Sequence, residues 1–246
     1  GVGGRLNAGA AIPASRVYSD AGIPQISPSA THPQYTRQGF KTAFRLVADD
    51  ARLGATLGKY TVGTLKGKAI AVIDDRTAYG QGVADDFSKA VLAAGAKVVA
   101  KEFTADKATD FRAILTTIKG KKADVIFFGG MDAVAGPMLK QMKSLGMTVK
   151  FVGGDGICTE ELMSLAGDAI VDDQVVCAQA GGVEGEGRAD LDAFKARYKV
   201  RFGTDIQVYA PYTYDAVRVM VAAMVKARSA NPVKYLPALA ATNDFK

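Results

Sequence analysis

The chain has 246 residues, 48% of them apolar and 23% charged, with a formal net charge of +6. That length buries roughly 70–75% of an unfolded surface, so a sizeable core is expected, in one large domain or two lobes. No apolar run reaches the ~18 residues of a membrane span, and the lysines (Lys66/Lys68, Lys97/Lys101, Lys119/Lys121/Lys122, Lys140/Lys143) fall at helix ends rather than among aromatics on one face, which argues against a nucleic-acid surface.

Val2 to Leu6 reads as the tail of a strand. Pro13 to Asp20 reads as a helix with proline near its first position and Gly22 as its stop. Ile23 to Ser27 and Phe44 to Val47 read as short strands. Asp49 and Asp50 suit the cap of a helix carrying Leu53, Leu57, Tyr60 and Thr64 on one face. Ala69 to Asp74 is an apolar run of buried-strand length. Val83, Phe87, Ala90, Val91 and Ala94 mark the next helix, closed by Gly95, and Lys97 to Phe103 the next strand. Phe111, Ile114, Leu115 and Ile118 mark a helix capped by Thr109 or Asp110. Asp124 to Phe128 is a strand, Ala133 to Leu145 a helix, and Val149 to Val152 a strand. Thr159 suits the cap of Glu160 to Ala166, with Gly167 after it. Asp173 to Ala178 is a strand. The glycine-rich stretch Gly181 to Gly187, with two glutamates, reads as a loop or hinge. Leu191, Phe194, Tyr198 and Phe202 share a helix face. Tyr209 to Arg228 is a long helix interrupted near its start by Pro211, and a shorter helix follows Pro232.

Alternation of strand and helix throughout predicts an α/β protein with a mostly parallel sheet. The chain opens Gly1-Val2-Gly3-Gly4 with no leader and closes Asn243-Asp244-Phe245-Lys246 just after a helix, so a fragment cut at both ends is expected.

Three loops follow apolar runs and carry the candidate chemistry: Ser27-Pro28-Ser29-Ala30-Thr31, Asp74-Asp75-Arg76-Thr77-Ala78-Tyr79-Gly80 and Gly153-Gly154-Asp155-Gly156. In open α/β sheets ligands bind beyond the carboxyl ends of the strands. Gly80-Gln81-Gly82 opens a helix, but a G-x-G-x-x-G pattern fails at Asp85, a phosphate-loop lysine is missing, and Asp74-Asp75 would repel phosphate. His32, the single histidine, precedes Pro33, and no G-x-S-x-G is present, so nucleophilic catalysis has no base beside a nucleophile. One histidine and two cysteines fall short of a structural metal site. Read from residues alone, Asp155 suits a plain turn as well as a cleft carboxylate. Tyr79 suits a core edge, Ser27 and Ser29 suit turn hydrogen bonds, and Met131 after Gly129-Gly130 is a weak signal.

Ile23-Pro24-Gln25-Ile26-Ser27-Pro28-Ser29-Ala30-Thr31 resembles the ligand loop of periplasmic branched-chain amino-acid (Leu/Ile/Val-type) binding proteins of ABC importers. Pro13-Ala14-Ser15, Asp74-Asp75-x-x-x-Tyr79-Gly80-x-Gly82 and Tyr209-Ala210-Pro211-Tyr212-Thr213-Tyr214-Asp215-Ala216-Val217 are similar to that family too, colinear over essentially the whole chain. The resemblance implies a two-lobed type I periplasmic binding protein fold, with residues 1–48 and 179–246 in a first lobe incomplete at both chain ends and 49–178 in the second. It implies a periplasmic protein that is not an enzyme and needs no cofactor. It would capture a small amino acid in an inter-lobe cleft and deliver it to the membrane subunits of an ABC importer, as a monomer without nucleic-acid partners.

Residue by residue, the resemblance implies that Thr31 offers its N–H and hydroxyl to the ligand carboxylate, in the loop with Ala30. The Ser29 carbonyl would accept from the ligand ammonium, Asp155 would pair with it, and Tyr79 would clamp the ligand from the second lobe. These donors and acceptors suit a zwitterion. Two positions depart from the family. Ala8, in Asn7-Ala8-Gly9, stands where a serine is common and keeps only the backbone donor; Met131 stands where some relatives carry tyrosine. The alternatives are a receptor for a short amide or other amino-acid-like solute, and an effector-binding regulatory domain. Export would favour a disulfide between Cys158 and Cys177, because a helix followed by a strand returns the chain beside its starting point; otherwise the two are buried thiols.

Overall fold

The computed structural model describes residues 1–246 apart from Arg5, Glu184, Glu186, Asp244 and Lys246. Parallel strands need crossover connections, which the intervening helices supply, and every strand pair among the described residues is parallel. The result is an α/β protein with two parallel sheets flanked by helices, and the chain divides into two compact units.

The first unit comprises Gly1–Ala48 and Gly181–Lys246. Its sheet has the order β1 (Val2–Gly3), β2 (Gln25–Ser27), β3 (Ala43–Arg45). Helices α1 (Ala8–Asp20) and α2 (Gln34–Arg37) lie within the first stretch, and α8 (Gly187–Phe202), α9 (Ala210–Lys226) and α10 (Pro232–Ala240) within the second. Ile26 of β2 packs with Ala216, Val219, Met220 and Ala223 of α9 and with Tyr235 and Leu239 of α10. A smaller cluster joins Ala11, Ala30 and Tyr35. No α8 residue is buried; its Phe194, Tyr198 and Phe202 instead form a ladder of rings that Tyr214 of α9 joins at 5.1 Å.

The second unit, Asp49–Ala180, holds a five-stranded sheet of order β5-β4-β6-β7-β8. The strands are β4 (Ala69–Asp74), β5 (Lys97–Phe103), β6 (Val125–Gly129), β7 (Lys150–Gly153) and β8 (Val175–Cys177). The helices are α3 (Asp50–Gly63), α4 (Ala78–Ala93), α5 (Arg112–Gly120), α6 (Asp132–Ser144) and α7 (Glu160–Ala166). Central strand β6 is buried along its whole length, as a parallel strand covered on both faces must be. Ile73, Ile126, Phe128 and Phe151 pack with Leu115, Met138, Leu139 and Leu162 of α5, α6 and α7. Phe127 stacks on Phe87 of α4 with centroids 3.9 Å apart. α3 lies close against α4 because Gly54 and Gly58 carry no side chain. A methyl at Gly54 would meet the Phe87 backbone nitrogen at 2.8 Å, and one at Gly58 would collide with the Ala90 methyl.

Several boundaries differ from expectation. α1 begins at Ala8, not at Pro13, which stands exposed inside the helix; burial of Ala8 and Ala11 extends the helix ahead of the proline. Pro211 does not interrupt α9, since it falls in the first turn, where its missing N–H costs no bond. The cap position of α5 is Phe111, whose N–H donates to Gln141 Oε1 at 2.7 Å. Asp110, one residue ahead, accepts from the first N–H of the helix, that of Arg112, at 3.2 Å, and also pairs with the Arg112 guanidinium at 2.7 Å. The short helix α2 was not expected, and the Gly153–Gly156 loop contains a 3-10 turn, Asp155–Ile157. In the stretch read as a hinge, Glu184 and Glu186 lie outside the described residues, as do Arg5 in the first strand reading and Asp244 and Lys246 at the other end.

Candidate functional site

Within the second unit, the carboxyl ends of β4, β6 and β7 bring three of the candidate residues together. Tyr79 is the second residue of α4, whose first turn is capped by the Thr77 hydroxyl accepting from the Gly80 N–H at 2.9 Å. The Tyr79 ring is buried, at 7% exposure. Its hydroxyl donates to Asp155 Oδ1 at 2.8 Å and accepts from the Gly156 N–H at 2.9 Å. Burial pushes the Tyr79 phenol well above its ordinary range, and the carboxylates of Asp155 and of buried Asp50 push the same way.

Asp155 is 5% exposed and opens the 3-10 turn. Glycines on both sides make the approach possible. A methyl at Gly154 would lie 2.7 Å from the Tyr79 hydroxyl oxygen. One at Gly156 would lie 2.5 Å from the Gly130 carbonyl, 2.9 Å from the Tyr79 ring and 3.0 Å from Met131 Sδ. Met131, at the end of the β6 loop, therefore borders the same spot. Two ties brace this region. The Thr159 hydroxyl donates to Asp132 Oδ2 at 2.6 Å while capping α7. Cys158 and Cys177 form a disulfide with Cα atoms 5.5 Å apart, fastening the segment after Asp155 to β8.

In the first unit the loop after β2 is shaped by its own serines. Ser27 Oγ accepts from the Ala30 N–H at 2.9 Å, and Ser29 Oγ donates to the Leu6 carbonyl at 3.1 Å. Ser29, Ala30 and Thr31 are all at most 5% exposed. The Leu6 bond ties this loop to the start of α1, where Ala8 is buried and Asn7 makes no side-chain cap. The first turn of α1 holds no acidic residue, so the N–H groups there carry the positive end of the helix dipole.

Arg45 was missed from sequence. Its guanidinium donates to the carbonyls of Thr31 (3.4 Å), His32 (3.1 Å) and Val47 (3.2 Å), holding the loop from beneath. An arginine closing an otherwise apolar strand was the available signal. His32 Nδ1 accepts from the Gln34 N–H at 3.2 Å, a turn role. The first unit thus gathers backbone and hydroxyl groups, and the second a buried carboxylate oriented by a phenol.

Residues 1–246 match the periplasmic binding protein family from end to end. The chain is 37% identical over 244 residues to Leu/Ile/Val-binding protein homolog 1 of Brucella abortus, covering 99% of this chain and 64% of that protein. It is 34% identical over 234 residues to a leucine-, isoleucine-, valine-, threonine- and alanine-binding protein of Pseudomonas aeruginosa, covering 95% and 61%. It therefore spans a little under two thirds of the length of these curated relatives. Among solved structures, the branched-chain amino acid transporter substrate-binding protein LivJ of Streptococcus pneumoniae, in complex with isoleucine, superposes with a TM-score of 0.84. That match has 27% identity over 99% of this chain and 68% of the other. The leucine-binding protein LivK of Thermotoga maritima, at 22% identity and TM-score 0.88 over 99% and 69%, shares the fold. The family is one of binding proteins rather than catalysts. With its two parallel α/β units and its match along all 246 residues, the chain belongs to the periplasmic binding protein family.

Proposed function

We propose that this chain is the ligand-holding part of an extracytoplasmic, periplasmic solute-binding protein that captures a small branched-chain-type amino acid and passes it to the membrane subunits of an ABC importer. The observation that carries the reading is the buried Asp155 carboxylate, oriented by the Tyr79 hydroxyl between two glycines. A carboxylate placed beyond the carboxyl ends of the strands, with backbone packed close around it, suits the ammonium group of a small zwitterion. Thr31, Ala30 and the Ala8 N–H would receive the ligand carboxylate, and the Ser29 carbonyl would take a further ammonium proton. Met131 would border the ligand side chain. The names of the Brucella and Pseudomonas relatives support the ligand class.

Ala8 favours a second reading, a short amide or other amino-acid-like solute, because it offers a backbone N–H but no hydroxyl to a carboxylate. Calorimetric titration of the full-length protein with L-leucine, L-isoleucine, L-valine and leucinamide separates the two. Binding of the amino acids in preference to the amide is expected. Preference for leucinamide would replace the first reading with the second, and no binding of any of them would overturn both.

A further inference from the structure

Asp75 lies one residue beyond β4 and is 2% exposed, yet nothing in the ligand reading uses it. Its Oδ1 accepts from the Thr77 N–H at 3.0 Å and from the Thr77 hydroxyl at 2.6 Å. The Thr77 oxygen in turn accepts from the Gly80 N–H at 2.9 Å. The Asp75 N–H donates to the Gly129 carbonyl at 3.0 Å, joining the β4 loop to the end of β6. Room for the carboxylate exists because its neighbours lack side chains. A methyl on Gly80 would collide with Asp75 Oδ1, one on Gly129 with the Gly80 carbonyl, and one on Gly130 would lie 3.0 Å from Asp75 Oδ2. Oδ2 has no hydrogen-bond partner among the described residues.

A helix cap alone does not need this arrangement. Asn231 caps α10 through its own side chain, accepting from the Val233 N–H at 3.0 Å. At α4 the capping hydroxyl is itself gripped by a buried carboxylate. A hydroxyl that donates to a carboxylate is both a better acceptor and a rotor fixed in one position. The backbone on either side of Tyr79 is then fixed, at Thr77 and at Gly80, and its hydroxyl is delivered to Asp155 and Gly156.

We propose that Asp75, acting through Thr77, is a positioning residue that holds the Tyr79 hydroxyl on Asp155 and Gly156, so that the second unit presents a preformed ammonium site. For what Tyr79 does to a ligand, the proposal rests on the function proposed above; the positioning itself does not depend on it.

The test uses Thr77→Val, Thr77→Ser and Asp75→Asn in the full-length protein. Amide hydrogen exchange is read at Gly80 and Gly156, and L-leucine is the titrant. Thr77→Val is expected to speed exchange at Gly156, in a different loop, by about 10-fold through local opening. It is expected to weaken L-leucine binding about 10-fold, the scale of one lost hydrogen bond. Thr77→Ser should restore both to parental values, and Asp75→Asn should shift both in the same direction as Thr77→Val. Faster exchange at Gly80 with Gly156 unchanged would reduce Thr77 to a plain helix cap and overturn the proposal. Should Thr77→Val not fold, Asp75→Asn with parental Gly156 exchange would overturn it equally. A parent that ignores L-leucine while Gly156 responds as expected would sink the ligand reading and uphold the positioning role.

Discussion

Asp155 takes its character from its surroundings rather than its own chemistry. A turn aspartate in water is interchangeable with asparagine; one at 5% exposure, accepting from a buried phenol, is not. Asp155→Asn in the full-length protein is expected to weaken L-leucine binding by roughly 30- to several-thousand-fold, the range for truncating one side of a desolvated charge pair. The folded state should survive, since an amide oxygen still accepts from Tyr79. Calorimetry with parental thermal unfolding checks both halves, and parental affinity would return Asp155 to a turn residue. The buried phenols give a prediction in pH. Burial raises Tyr79 and Tyr35 above their ordinary 10.0. Below pH 10 both are neutral in folded and unfolded chains, so their contribution is fully present. As pH rises beyond 10 the unfolded chain loses these protons and the folded one does not, so stability falls until the folded values are reached. Alkaline unfolding should therefore set in later in Tyr35→Phe than in the parent, relative to each protein's stability at pH 8, and absorbance at 295 nm should show buried phenols, Tyr35 and Tyr79 among them, ionising only on unfolding.

At the scale of elements, two contacts decide how firmly the second unit is held. α3 and α4 touch where Gly58 faces Ala90. Gly58→Ala improves helix propensity but overpacks this contact, and a net loss of about 1–3 kcal/mol is expected. Urea unfolding measures it, and adding Ala90→Gly should recover part of the loss because it removes the colliding methyl. The disulfide closes a loop of 19-residue separation. Replacing both cysteines by serine is expected to cost about 3 kcal/mol by chain-entropy reasoning. Because Cys158 lies three residues after Asp155, the same variant should also weaken L-leucine binding. Unchanged affinity would mean that the Thr159–Asp132 bond and the 3-10 turn hold Asp155 without it.

At the scale of the whole molecule, the ligand roles proposed for Thr31 and Asp155 make different predictions for an amino acid and its amide. Thr31→Val removes a hydroxyl that would serve the ligand carboxylate, so L-leucine should lose about 10-fold in affinity. Leucinamide, which carries no carboxylate, should lose far less. Asp155→Asn, by contrast, should weaken both compounds alike, because both keep the ammonium. Equal loss of the amino acid and the amide in Thr31→Val would separate Thr31 from the ligand carboxylate.

The α/β class, the parallel pairing and most element positions were legible in the chain because period and punctuation are local. Six residues ending in Asp74, five of them apolar, have the length and composition of a buried strand, and Thr159 caps the helix after it by the chemistry of one hydroxyl. The resemblance, carried by residues spread along the chain, was legible for the same reason. Local patterns could not show which atoms meet. Nothing near Tyr79 in sequence says that its hydroxyl lies 2.8 Å from a carboxylate 76 positions away. Arg45 reads as a strand-end charge until the loop from Ser27 to His32 folds over it. Asp75 reads as a repulsive partner to Asp74 until Gly80 and Gly130 leave space for it to be buried. Secondary structure comes from torsional preference and hydrophobic period, both written within a few residues. A site comes from burial and the convergence of separate loops, and only tertiary packing supplies those.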